Sequence, residues 1–261
     1  MSIKSKGRAL ITGASSGIGA ALAVKFAAEG FDLILTARRE DRLNDLKTKL
    51  NNVDVFVLPM DLAEDKGVDD LCVAIEEAGL EVDILINNAA IFSQVPFVDA
   101  SREAITQILT LNITTVVRLT HHFLPNMIKR RSGKILNVAS LASFHPIPSM
   151  DLYAATKAFV LSITESLAEN LKGTGVSVTA LCPGPTNTDA LDQRIASSLP
   201  TFMITQAEQV AIEGFDALMS RQVMKIPGEA NRLAALWAQH QPRWLIRSLG
   251  GLVAKQSVKS E

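Results

Sequence analysis

Near-continuous apolar runs recur along this chain, and a helical pattern separates each from the next. Residues 8–12 (RALIT), 32–37 (DLILTA), 53–59 (VDVFVLP), 83–87 (DILIN), 134–140 (KILNVAS), 176–182 (VSVTALC) and a short 223–227 (VMKIP) read as strands. Helical patterns fill the gaps at 17–29, 40–50, 64–78, 102–130, 152–172 and 206–221. Within 40–50, Leu43, Leu46 and Leu50 fall on one face. Strands that are apolar throughout need cover on both faces, so the pattern predicts a parallel sheet with helices above and below it. The expected fold is doubly wound α/β with about seven strands. No Pro/Gly/Ser-rich linker divides the chain, so one domain over 1–261 is expected, and 48% hydrophobic residues can fill its core.

Charge and cysteines narrow the function classes. A net charge of −1 gives no basic footprint, which argues against nucleic acid as a partner. Cys72 and Cys182 suggest no disulfide framework and fit a reducing compartment, so a cytoplasmic location is expected. Only Ala9 to Ile11 separate the charged Lys4–Arg8 stretch from a glycine turn, too little for a signal peptide's apolar region. No apolar run reaches the length of a membrane span. His121, His122, His145 and His240 form no metal spacing with the cysteines, so no metal is expected. From Arg221 onward there are seven Lys/Arg and two acids, a balance of +5. Residues 228–261 read as a C-terminal helical extension that packs on the core or on another subunit. An interfacial helix over 230–256 is the alternative, although Pro242 interrupts any long helix.

Two motifs carry chemistry. In ITGASSGIGAAL (11–22), Gly13, Gly17 and Gly19 fall between the first strand and the first helix. Glycine there permits a sharp turn and a close approach by a diphosphate, which the free N–H groups of the helix N-terminus would meet. Gly19, followed by Ala20 and Ala21, lets that helix pack tightly on the sheet. The second motif is Tyr153-x-x-x-Lys157, whose four-residue spacing puts both side chains on one helix face. Tyr153 is the only tyrosine in the chain. Ser140, thirteen residues earlier, ends the strand at 134–140, on the sheet edge where such folds bind ligands.

TGASSGIG (12–19), NNA (87–89) and YAATK (153–157), in that order, resemble the short-chain dehydrogenase/reductase family. The likeness runs from about residue 7 to 227. LILTARRE (33–40) and IPGEANRL (226–233) resemble a broad group of bacterial short-chain reductases. The resemblance implies a Rossmann-like fold and a nicotinamide cofactor. It implies that Gly13, Ser15, Ser16, Gly17, Ile18 and Gly19 cradle the diphosphate, and that Asp61 and Leu62 contact the adenine. A helix N-cap is the alternative use of Asp61. Asn88 matches a backbone position near the cofactor. Pro183, Gly184, Thr186 and Thr188 match the segment that wraps the nicotinamide, where the threonines would bond its carboxamide or the diphosphate. Ala90 stands where the family usually has glycine. At the end of the second strand an acid would select NAD and an arginine the 2′-phosphate. This chain has Arg38 and Arg39 there, so NADP(H) is the expected cofactor. Solvated charges, or pairing with Glu40 and Asp41, are the alternative.

The resemblance also assigns roles at the reacting end. Ser140 would bond the substrate oxygen, with Ser143 a rival too near Tyr153 for the usual spacing. Tyr153 would pass the proton, helped by Lys157 and the positive nicotinamide ring, which together lower an ordinary phenol's pKa of about 10. Lys157 would also bind the nicotinamide ribose, and Asn112 would hold a water behind Lys157. A mid-helix polar residue that merely distorts its helix is the alternative for Asn112. The expected activity interconverts a secondary alcohol and a ketone or aldehyde. Residues 92–98, 143–152 and a substrate-covering segment at 184–205 would line a largely apolar pocket. Alternatives are a reductase of carrier- or CoA-bound acyl chains and a non-catalytic cofactor-binding scaffold. A homodimer or homotetramer is expected, because the helices at 102–130 and 152–172 pair between subunits in the family.

Overall fold

A computed structural model describes residues 5–148, 150–189, 191 and 200–241. In chain order its elements are β1 (Arg8–Thr12), α1 (Gly17–Ala28), β2 (Asp32–Thr36), α2 (Glu40–Lys49), β3 (Val55–Val57), α3 (Gly67–Glu77), β4 (Ile84–Asn87) and α4 (Arg102–Leu109). A wide π-turn (Thr110–Thr114) leads into α5 (Thr115–Lys129), followed by β5 (Gly133–Val138), α6 (Asp151–Asn170) and β6 (Val176–Leu181). Two short strands, β7 (Thr186–Asn187) and β8 (Thr205–Gln206), precede α7 (Ala207–Met219), β9 (Met224–Lys225) and α8 (Glu229–Gln239). The main sheet has seven parallel strands in the order β3-β2-β1-β4-β5-β6-β9, as the doubly wound reading requires.

Alternation along the strands sends side chains to the two faces of the sheet, where two large clusters form. In β1, Ala9 and Ile11 join one cluster while Leu10 joins the other; in β2, Leu33 and Leu35 oppose Ile34. The first cluster receives α1 and α7, where Phe26, Phe31 and Phe215 meet edge to face with centroids 4.9–6.2 Å apart. The second receives α3 and α5 through Leu71, Ile75, Leu119 and Met127. Leu43 and Leu50 of the α2 stretch are buried, with Leu46 packed beside them.

The structure departs from the sequence expectations in three places. The expected helix over 102–130 is broken into α4 and α5 by the π-turn. β3 and β9 are shorter than the apolar runs that announced them. Beyond β3 the backbone still bonds to β2 and the residue that follows it, from Leu58 N to Leu35 O at 3.0 Å and Met60 N to Ala37 O at 3.1 Å. Of the substrate-covering segment, residues 190 and 192–199 lie outside the described residues, as do 242–261 of the C-terminal extension. No helix among the described residues is long and apolar enough to cross a membrane.

Candidate active site

The sheet order reverses between β1 and β4, so their carboxyl ends diverge and open a crevice. A cleft of about 490 Å³ lies there. One side is the glycine turn. Gly13 and Gly17 have φ of +66° and +55°, a region that side chains with a Cβ seldom enter. A Cβ on Gly13 would meet Ala89 Cα at 2.9 Å, and one on Gly19 would meet the Gly13 carbonyl oxygen at 2.3 Å. Asn88 pins this turn from below: its Nδ2 donates to Thr12 O at 2.9 Å, and its N–H donates to Thr12 Oγ1 at 2.9 Å. Ser16 is the N-cap of α1 but makes no cap bond with its side chain. The first N–H groups of α1 therefore have no side-chain acceptor from their cap and suit an anion.

Its hydroxyl instead accepts from Arg39 Nη2 at 2.8 Å, and Ser15 Oγ accepts from the same atom at 3.1 Å. Arg38 is exposed, with Nη1 3.8 Å from Asp61 Oδ2. Neither arginine pairs with Glu40 or Asp41 in these contacts. Asp61 Oδ1 accepts from Ala63 N at 2.9 Å, capping a local turn; α3 starts later, behind Lys66, so Asp61 is not its N-cap. Leu62 lies beside it in the cleft wall.

The other end of the cleft is built by β5, β6 and α6. Tyr153 and Lys157 both line it, as do Val138, Ala139 and Pro183. Lys157 is buried; its Nζ donates to Val138 O at 2.8 Å and sits 5.8 Å from the Tyr153 ring centroid. Burial pulls the Lys157 ammonium down to about 8, partly offset by Cys182. Burial also pushes the Tyr153 phenol up, and a hydrogen bond with Ser140 draws it partway back. In the protein alone burial is the larger cause and Lys157 is not among those that shift the phenol; the expected lowering is by Lys157 and the nicotinamide ring together. Burial likewise pushes the Cys182 thiol up to about 12, which leaves it inert.

Ser140 Oγ accepts from Ala142 N at 3.1 Å. Its rival Ser143 is occupied elsewhere, donating to Lys157 O at 2.8 Å and accepting from Ser140 N at 3.2 Å. Asn112 lies in the π-turn, fully buried. Its Oδ1 accepts from Ile91 N at 2.8 Å; its Nδ2 donates to Ile91 O at 3.0 Å and to Thr156 Oγ1 at 3.1 Å. It thus ties the loop after β4 to α6 rather than merely distorting its helix.

The wrapping segment is only partly as expected. Thr188 lines the cleft, with its methyl carbon 3.0 Å from where a Gly17 Cβ would stand. Thr186 turns inward and donates to Gly184 O at 2.9 Å, so its hydroxyl is used within the turn. Asp189, which sequence reading passed over, also lines the cleft and pairs with Arg42 at 2.8 Å. Ala37, Met60, Ala89 and Leu111 were missed too; small or apolar residues flanking a motif carry no signal of their own. Phe92 lines the cleft and meets the Tyr153 ring edge to face at 5.0 Å. By contrast, residues 142–148 border a separate cavity of about 460 Å³ with Asp151, Ala154, Ala155 and Ala158. Residues 143–148 thus border this second cavity and not the cleft that Tyr153 and Lys157 line.

Together, a dinucleotide-type crevice and, at its far end, a half-buried Tyr153 beside a buried Lys157 define an oxidoreductase of the nicotinamide-dependent kind. The family model for short chain dehydrogenases matches residues 7–198, and the chain belongs to that family. An uncharacterized oxidoreductase of Bacillus subtilis (strain 168) is 36% identical over 203 residues, 78% of this chain and 77% of its own. A short-chain dehydrogenase from Sphingobium yanoikuyae, solved in complex with NADPH, has a TM-score of 0.80 at 32% identity, covering 98% of this chain and 96% of its own. A bulky-bulky ketone specific alcohol dehydrogenase from Comamonas testosteroni has a TM-score of 0.77 at 29% identity, covering 97% and 94%.

Proposed function

We propose that this chain is an NADP(H)-preferring oxidoreductase that interconverts a secondary alcohol and a ketone or aldehyde, with a hydrophobic carbonyl compound as substrate. One observation carries the reading: a single cleft joins Arg38 and Arg39 at one end to Tyr153 and Lys157 at the other. The residues present suit the cofactor. The glycine turn leaves room that a Cβ would fill, the start of α1 offers N–H donors, and the arginines match a 2′-phosphate. When bound, the cofactor supplies the hydride exchanged with the carbonyl carbon.

The chain supplies orientation and the proton. Burial raises the Tyr153 phenol and so holds it in its protonated form, the form that donates to a carbonyl oxygen in the reducing direction. Lys157, with a pKa of about 8, is mostly charged at pH 7 and holds positive charge beside the ring. Ser140 bonds Tyr153 and steadies the developing oxyanion. Asn112 keeps the loop after β4 and α6 in register. Phe92, Ala90 and Leu111 give the cleft apolar wall, and the Sphingobium and Comamonas proteins support the cofactor and the bulky ketone respectively. The protein works as one cytoplasmic domain and as a homo-oligomer. The test is a panel of ketones and aldehydes of graded bulk with NADPH, using Tyr153→Phe as the blank. Failure of every carbonyl to oxidise NADPH above that blank would overturn the reading.

A further inference from the structure

The IPGEANRL stretch supplies a buried side chain that packs against Gly184, the neighbour of the cleft-lining Pro183. Asn231, in the first turn of α8, is 1% exposed. Its Nδ2 donates to Met203 O at 3.2 Å and to Thr205 Oγ1 at 3.1 Å. The same amide fills the space over Gly184, where a Cβ would lie 2.7 Å from Nδ2. One side chain therefore touches both ends of the stretch from Gly184 to Thr205. The β7–β8 pair closes the same base, with Thr186 against Thr205 and Asn187 against Gln206. The Gly184 end continues into Pro183, which lines the cleft and whose carbonyl accepts from Leu141 N at 2.9 Å, next to Ser140.

Packing does not account for an amide here. Asn231 Oδ1 is buried and has no hydrogen-bond partner among the described residues. A buried acceptor left unpaired carries a desolvation penalty that an apolar side chain of similar size would avoid. What the amide alone provides is its pair of donors, and both are spent on the far end of the 184–205 stretch. We propose that Asn231 is a positioning residue that fixes the base of this stretch against the Tyr153 end of the cleft and so sets which carbonyl compounds fit there. The inference rests on reading the cleft as an NADP(H)-dependent carbonyl site.

Asn231→Asp keeps the shape but replaces the donors with acceptors facing the Met203 carbonyl. Thr205→Val removes one partner, and Thr205→Ser restores the hydroxyl. The readout is the ratio of kcat/KM for a bulky aryl ketone to that for acetone, in which any loss of active enzyme cancels. The ratio is expected to change by about tenfold in Asn231→Asp and Thr205→Val, the scale of pocket-fit discrimination. Thr205→Ser should match wild type. Dissociation constants for NADPH, with NADH in parallel, should stay within about twofold, because the Arg38–Arg39 end is untouched. The fluorescence emission of bound reduced cofactor, which reports the surroundings of its nicotinamide, should shift in the same two variants. If wild type reduces no ketone, the functional reading fails and the emission comparison alone decides on Asn231. Should Asn231→Asp not fold, the Thr205 pair carries the comparison. Folded variants with wild-type ratio and emission would overturn the proposal.

Discussion

Lys157 is held as a cation in a place that resists cations. Its pKa falls from 10.5 to about 8 because burial disfavours the charged form. Between those two values the unfolded chain keeps a proton that the folded chain has released, so stability rises with pH across that window and the penalty is full below it. The shift corresponds to about 3 kcal/mol at neutral pH. The buried Cys72 and Cys182 thiols, raised by burial, oppose this rise near pH 9–10, so Lys157→Met should make urea stability fall with pH there relative to wild type and, apart from the lost bond to Val138, raise stability at pH 7 while lowering turnover. A variant with the wild-type slope would sink this account. Tyr153→Phe keeps the ring against Phe92 but removes the proton, and should cost at least ~10²–10⁴-fold in turnover; a folded variant with wild-type turnover would remove Tyr153 as the acid. Arg38→Asp should weaken NADPH by about 1–3 kcal/mol, since a charge-assisted contact is lost and repulsion gained. Equal wild-type dissociation constants for NADPH and NADH would contradict it. Tyr153, Lys157 and the glycines were legible because their chemistry depends on short local spacing. Asn231 and Asp189 were not, because their roles arise from contacts with chain distant in sequence.

Elements were legible wherever one period dominates. Strands apolar on both faces announce a buried parallel sheet, and all seven runs became its strands. The π-turn at Thr110–Thr114 escaped because one extra residue in a turn barely disturbs an apolar pattern read over 102–130. Its physical anchor is Asn112, whose side chain satisfies both backbone groups of Ile91 and bonds Thr156. Asn112→Ala would leave those groups unpaired at a cost of about 1–3 kcal/mol and let the wide turn relax toward an ordinary helix. Urea unfolding should show that loss, together with reduced turnover, because α6 carries Tyr153. Unchanged stability would mean that the turn is held by something else.

At the scale of the whole molecule the open question is which surface stays uncovered. α6 spans twenty residues, about 30 Å. Its outward face presents Ala155, Phe159, Ser162 and Ser166, all exposed, and Phe159 is 38% exposed despite its size. α4 and α5 add exposed Leu109 and Ile128. Short side chains let a second helix approach closely, and a face that meets its own copy generates a two-fold axis. A C2 dimer, or a D2 tetramer if a second face also pairs, is the expected state. A stable contact needs roughly 1,200 Å² or more of total buried surface, within reach of helices this long. Phe159→Arg would place two guanidiniums near such an axis while leaving Tyr153 and Lys157, on the other side of α6, untouched. Light scattering at micromolar concentration should give a dimer or tetramer for wild type and a smaller species for the variant. A fully active wild-type monomer would show that the exposed face of α6 serves some other purpose.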